Sequence, residues 1–151
     1  MGGHSTPSLL FDGNVVIMES KAGEVSPKAL ERFVGVVRRE ARLQGEVNVL
    51  LAGDRKIRDL NRRFRHKDKT TDVLSFPSTN GGDIAISMPM AKASARALGH
   101  ELADEIKILI LHGALHLKGH DHETDDGTMA RAEQRLRKKL KLPLSLTERT
   151  R

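Results

Sequence analysis

The sequence predicts one α+β domain, and three observations point that way. With 151 residues the chain fits a single core that buries on the order of 70% of the surface its unfolded form exposes. β-Branched runs and segments of helical period follow one another in the order β-α-β-α-β-β-α-α-α. No internal repeat, low-complexity tract or interior linker interrupts that order, so 1–151 reads as one unit with fraying expected at 1–8 and 144–151.

The first strand is expected in NVVIMES (Asn14 to Ser20), which is rich in β-branched residues. In SPKALERFVGVVRREARLQG, Ser26 is placed to cap a helix that has Pro27 at its first position. Leu30, Phe33, Val34, Val37 and Ala41 share one face of that helix, and Gly45 is its expected stop. EVNVLLAG (Glu46 to Gly53) reads as a second strand, after which Asp54 is expected to cap the short helix RKIRDLNRRFR, with Ile57, Leu60 and Phe64 on one face. TDVLSFP, ending at Pro77, and DIAIS are two short strands joined by the Gly-rich turn STNGG. Ser87 with Pro89 opens the helix MPMAKASARALG. ELADEIKILILHGALHLKG is a longer helix, apolar enough along its middle to lie in the core and ended by Gly119, which readily takes a left-handed conformation. The last helix, from about Gly127 to Leu140, aligns Met129, Ala132, Leu136 and Leu140 before Pro143 stops it.

Composition narrows the function classes. The absence of cysteine excludes a disulfide framework and any thiolate metal site, so a metal would sit on nitrogen or oxygen. The longest apolar run, Ile108 to Leu111, is far below the roughly 20 residues a bilayer span needs, so no membrane association and a cytoplasmic location are expected. MGGHST fits the loose N-myristoylation pattern through Gly2 and Thr6, but such a short pattern recurs by chance and a frayed end is the preferred reading. A balance of 26 basic against 20 acidic residues leaves +6, which favours a polyanionic partner such as nucleic acid. With four Phe and no Tyr or Trp, little is available for base stacking, and nucleic-acid binding is expected to be backbone electrostatics that weakens steeply with salt.

LHGALHLKGHDHETDD, from Leu111 to Asp126, holds four of the chain's seven histidines. On a helix, His112 and His116 project from one face and can reach a common metal. If Gly119 turns the chain back, His122 supplies a third nitrogen, leaving an open position as in catalytic zinc sites. The spacing H-x3-H-x5-H around that glycine is the ligand spacing of the metzincin proteases. Where those proteases carry the glutamate that deprotonates water, this chain has Gly113, so peptide hydrolysis should lack its general base. Asp121 is placed to orient a ligand imidazole through a hydrogen bond, and His120 is the poorer ligand, because a helix reaching it would have to continue through Gly119.

A second cluster crowds Arg58, Arg62, Arg63, Arg65, His66, Lys67 and Lys69 into twelve residues at a helix end and the loop beyond. Asp54, Asp59, Asp68 and Asp72 offset that charge only in part, and the loop feeds into short strands that could carry it to the rim of a cleft.

Taken in order, LNRRFRHKDKTTDVLSFP, GGDIAIS and HGALHLKGHDHETDD resemble the YbeY family of bacterial rRNA-maturation endoribonucleases, over roughly Val47 to Leu140. The N-terminal third agrees only in its strand-helix-strand pattern. The resemblance implies a small mixed four-stranded sheet with helices packed on it and one divalent metal per chain, zinc being the expected ion. It places the metal ligands at His112, His116 and His122 and the essential arginine at Arg65, and it differs at His120, where the family often has tyrosine. The implied activity is single-strand-specific endoribonuclease cleavage, linked to 3′-end maturation of small-subunit rRNA and to ribosome quality control. Small-subunit components and ribosome-associated GTPases are the implied partners.

On that basis Arg65 would clamp a phosphate, and Arg58, Arg62, Arg63, Lys67 and Lys69 would hold flanking phosphates. No general base stands out, although Asp72, Asp83 and Asp121 lie in the motifs. Two rival readings are a non-catalytic, metal-stabilised ribosome-assembly factor and a metal-dependent peptidase.

Overall fold

A computed structural model of the protein describes residues 14–18, 25–119 and 127–144. The elements are β1 (Asn14–Met18), α1 (Pro27–Glu40), β2 (Val47–Ala52), α2 (Asp54–Arg65), β3 (Val73–Ser78), β4 (Gly81–Ser87), α3 (Met88–Leu98), α4 (Leu102–Leu117) and α5 (Thr128–Lys139). The expected order and the α+β class both hold. The four strands form one mixed sheet in the order β1-β2-β4-β3, with β1 parallel to β2, β2 parallel to β4, and β3 antiparallel to β4.

That order follows from the connections. Two strands joined by only Thr79 and Asn80 must pair antiparallel, and Ser78 faces Gly81 across the turn with Asn80 at φ 62°. Parallel pairing of β1 with β2 requires a crossover, which α1 supplies. The hairpin enters the sheet through β4, which leaves β3 at an edge, where Pro77 removes no needed ladder donor.

Alternation along the strands divides the core by face. Val47, Val49 and Leu51 of β2 and Ile84 and Ile86 of β4 point into the main cluster, closed by α1, α3, α4 and α5. Fully buried Val34, Ile110 and Met129 bring three of those helices into it, each such side chain contributing about 1.5–3 kcal/mol by burial. Ala52, Leu74 and Ala85 point to the opposite face, where Ile57 of α2 covers them.

Two helix boundaries differ from the sequence expectation, each for a local reason. Helix α1 leaves its axis at Arg42 (φ 59°) rather than running to Gly45, because the amides of Arg42 and Leu43 close back on Arg39 and Arg38 and tuck Leu43 into the core. Gly45 instead abuts the hairpin turn, donating to the Asn80 carbonyl at 2.7 Å. Asp54 does not cap α2: Gly53 is the N-cap residue, and the Asp54 carboxylate accepts from Ser87 Oγ at 2.6 Å and Thr70 Oγ1 at 3.2 Å. The other caps stand as expected, Ser26 accepting from the Ala29 amide and Ser87 from the Met90 amide, both at 3.2 Å.

Candidate active site

Along the edge strand β3 runs a cleft of about 640 Å³. One wall is the C-terminal half of α4, bearing His112 and His116 and ending at Gly119; the other is the end of α2 and the loop after it, bearing Arg65, Lys67 and Lys69. Among the described residues the cleft is lined by these three cations and by no carboxylate, a one-signed lining that concentrates anions.

The histidine wall stands on the most buried helix of the fold. Its position against the sheet depends on Gly113, where an added Cβ would come within 2.8 Å of Ile84 Cγ2 and 3.1 Å of Ser75 Oγ. Ser75 Oγ donates to the Gly113 carbonyl at 3.0 Å, pinning the helix to β3. The residue after the first histidine therefore faces the sheet, and a glutamate there would have no room. Gly119 takes φ 105°, past the Lys118 cap, as the expected turn requires.

One turn apart on α4, the two rings meet with their Nε2 atoms 3.2 Å from each other. That is the separation of an N–H···N bond, and also close to the ~3.3 Å between two nitrogens held tetrahedrally at Zn–N distances of about 2.0–2.1 Å. His112 Nδ1 lies 2.7 Å from Glu133 Oε1 on α5, and a carboxylate there sets the tautomer with the proton on Nδ1 and the lone pair on Nε2. Glu133 is in turn held by Arg137 at 2.7 Å, and Arg137 also donates to the Pro143 carbonyl at 3.3 Å. Burial pushes the Glu133 carboxyl up, but the hydrogen bond to His112 and the charges of His112 and Arg137 outweigh it and hold the group below the ordinary range.

Two imidazole nitrogens 3.2 Å apart, one ring oriented by a carboxylate, fit a divalent cation of the zinc type. Among the described residues no three such donors converge; His122, His120 and Asp121 lie outside the described residues. Glu133 was missed by the sequence reading, though a signal existed: a lone carboxylate between Ala132 and Leu136 on the buried side of α5, four residues before Arg137.

On the basic wall, α2 ends at His66 in the left-handed conformation (φ 59°), and Asn61, almost fully buried, donates from Nδ2 to the Lys69 carbonyl at 2.9 Å. That bond fixes the loop that carries Lys67 and Lys69. Arg58, Arg62 and Arg63 are not in the cleft lining. Arg58 pairs with Asp68 at 2.8 Å, while Arg62 and Arg63 reach Asp59 at 2.6 and 3.4 Å. The hydrogen bond from Arg58, and then its charge, hold the exposed Asp68 carboxyl below the ordinary range. Asp83 bonds Asn48 at 3.0 Å away from the cleft, and Asp72 lines a neighbouring pocket of about 310 Å³ beside Glu105 and Glu133.

A mixed sheet with helices on both faces, and an edge strand between paired imidazoles and a cationic loop, define the class: a small α+β domain whose cleft suits an anionic substrate. The model of the family described as endoribonuclease YbeY matches residues 14–141. Over 139 residues the chain is 52% identical to the endoribonuclease YbeY of Koribacter versatilis, covering 90% of this chain and 91% of that protein. Against the endoribonuclease YbeY of Solibacter usitatus it is 47% identical over 140 residues, 91% of this chain and 95% of the other. The solution structure of TM1509 from Thermotoga maritima superimposes with a TM-score of 0.55 at 26% identity, covering 84% of this chain and 91% of that one. The chain belongs to the YbeY family of endoribonucleases, enzymes of the nuclease class whose substrate is RNA.

Proposed function

We propose that this chain is a metal-dependent, single-strand-specific endoribonuclease that acts in 3′-end maturation of small-subunit rRNA and in ribosome quality control. The observation that carries the catalytic part is the histidine pair facing Arg65, Lys67 and Lys69 across one cleft. The ribosomal role, with small-subunit components as partners and a cytoplasmic location, rests on the family resemblance. Among the described residues no helix is long and apolar enough to cross a membrane.

His112, His116 and His122 would hold one divalent cation per chain, zinc being the ion that suits an all-imidazole set with an open position. When bound, such a cation contributes polarisation of a phosphoryl oxygen and acidification of water toward neutral pKa. Glu133 keeps the His112 proton on Nδ1, so Nε2 stays available. Arg65, planar and always charged, clamps the scissile phosphate as negative charge builds on its oxygens. Lys67 and Lys69 take neighbouring phosphates and set affinity more than sequence preference. Asp121, which lies outside the described residues, would orient a ligand imidazole through a hydrogen bond. The peptidase reading loses further ground at Gly113, where its glutamate would collide with β4.

The test is metal content of the purified protein and of His116→Ala, followed by cleavage of a labelled single-stranded RNA with and without chelator. About one metal per chain, lost in the variant together with cleavage, is the expected result. Metal without cleavage under any condition would favour the assembly-factor reading, and protein without metal would overturn the proposal. The product ends, 2′,3′-cyclic or 5′-phosphate, then separate attack by the 2′-hydroxyl from attack by water.

A further inference from the structure

Phe64 is a large apolar side chain left 59% exposed, a property that among the described residues only Ile17 shares. Ile17 lies on β1, at the opposite edge of the sheet from the cleft. Phe64 lies in the cleft, one residue before Arg65, with the Phe76 ring of β3 beside it in the same lining. The two rings meet edge to face, centroids 5.6 Å apart at 68°, which holds the Phe64 ring in place while leaving it open to solvent. The Arg63 guanidinium lies over the ring, 5.5 Å from its centre, a cation–π contact on one face that a flat, π-rich ligand would displace or stack opposite. Phe64 and Phe76 are half of the chain's four phenylalanines. The scarcity of aromatics read from composition is thus reversed locally, because the fold gathers two of the few at one place.

We infer that Phe64 is the stacking subsite for an unpaired nucleobase whose phosphate lies on the Arg65, Lys67 and Lys69 wall. This rests on the RNA-cleaving reading above and adds to it a reason for strand choice. In a duplex both faces of every base are covered by neighbours, whereas a single strand can lay one base face on the ring. A nucleotide presents base and phosphate one sugar apart, and consecutive residues 64 and 65 present ring and guanidinium in the same cleft. Selection for single strands is then a property of binding, separate from the bond-breaking step.

The experiment uses a ten-nucleotide RNA with 2-aminopurine at successive positions and a matched RNA with an abasic site at the responding position. Both are titrated in chelator, so the strand stays whole, against wild type, Phe64→Leu and Phe64→Trp; cleavage is then measured on the untreated proteins. Wild type should quench 2-aminopurine at one position, and Phe64→Leu should remove the quench and weaken binding roughly 5- to 100-fold, the range expected for one base–aromatic stack. Phe64→Trp should restore both, the salt slope should stay unchanged, and the abasic strand should bind wild type and Phe64→Leu equally. Equal affinity of Phe64→Leu for the intact RNA, or an equal loss on the abasic strand, would overturn the subsite while wild-type cleavage keeps the enzyme reading in place. Wild type that neither binds nor cleaves single-stranded RNA would overturn both.

Discussion

The histidine wall of the cleft stands on α4, whose middle is buried through Ile106, Ile110, Leu111 and Ala114. The basic wall stands on the end of α2, where Ile57 and Asn61 are the buried residues and Arg62, Arg63 and Arg65 crowd the last turn. On the first wall each contact is short and sheltered: Ser75 to Gly113, His112 to Glu133, Glu133 to Arg137. On the second, the ion pairs are open to water, with Arg58 and Asp68 both about 60% exposed as the structure gives them, 59% and 60%. Interactions of the first kind set geometry and respond weakly to salt; those of the second kind steer charge and are screened within a Debye length of ~8–10 Å. The cleft thus joins a fixed donor set to an adjustable electrostatic surface, so damage to one wall should leave the other measurable.

Arg65→Lys tests that separation most severely. It keeps the charge and loses the planar fork, so RNA cleavage should fall about 10²–10³-fold while metal content and RNA affinity stay within a few-fold. A fall in metal content would show that the walls are coupled. Next in size, Glu133→Gln should weaken metal affinity about 10–100-fold in a competition titration, leaving chelator-treated RNA binding unchanged. Unchanged metal affinity would reduce Glu133 to a partner for Arg137 alone.

Asn61→Leu should act on the basic wall only. Losing the bond to the Lys69 carbonyl should cost about 1 kcal/mol, seen as a lower melting temperature and faster amide exchange around Lys67 to Lys69 with the metal retained. The smallest effect is expected from Arg58→Ala, whose melting temperature should match wild type because the pair is exposed. Lys67→Ala should lower the slope of log affinity against log salt by about 0.7, as for one phosphate contact, and Arg58→Ala should not. Equal slopes for the two variants would return Arg58 to the RNA surface.

The same contrast explains what could be read from the chain before its fold. His112 and His116 are related by a helical turn, and Ser26 with Pro27 or Ser87 with Pro89 announce helix starts within a few residues, so short-range rules reach them. Glu133 lies 21 residues from His112 and meets it only because α5 packs on α4. Asn61 looks like any polar residue of a basic helix until the loop folds over it. Asp54 matches an N-cap by type, yet its carboxylate is drawn to Ser87, 33 residues away. Composition does not separate Arg58, Arg62 and Arg63 from Arg65; the family motif singles out Arg65, and the fold places it alone of the four in the cleft lining. Local signals carried the elements and the histidine pair; the supporting contacts and the sorting of the cations are tertiary.

The edge position of β3 also bears on how this protein behaves at high concentration. An outer strand with an open side is a template on which the edge of a second molecule can add, and proteins avoid that by placing proline or lysine there. Here Pro77 lies within the strand, and Lys67 and Lys69 stand beside it in the cleft. The charges that would draw in RNA should thereby also disfavour edge-to-edge pairing of two copies. A chain neutralised at both lysines should lose colloidal stability as well as its nucleic-acid affinity, and bound RNA should protect the wild-type edge from self-association.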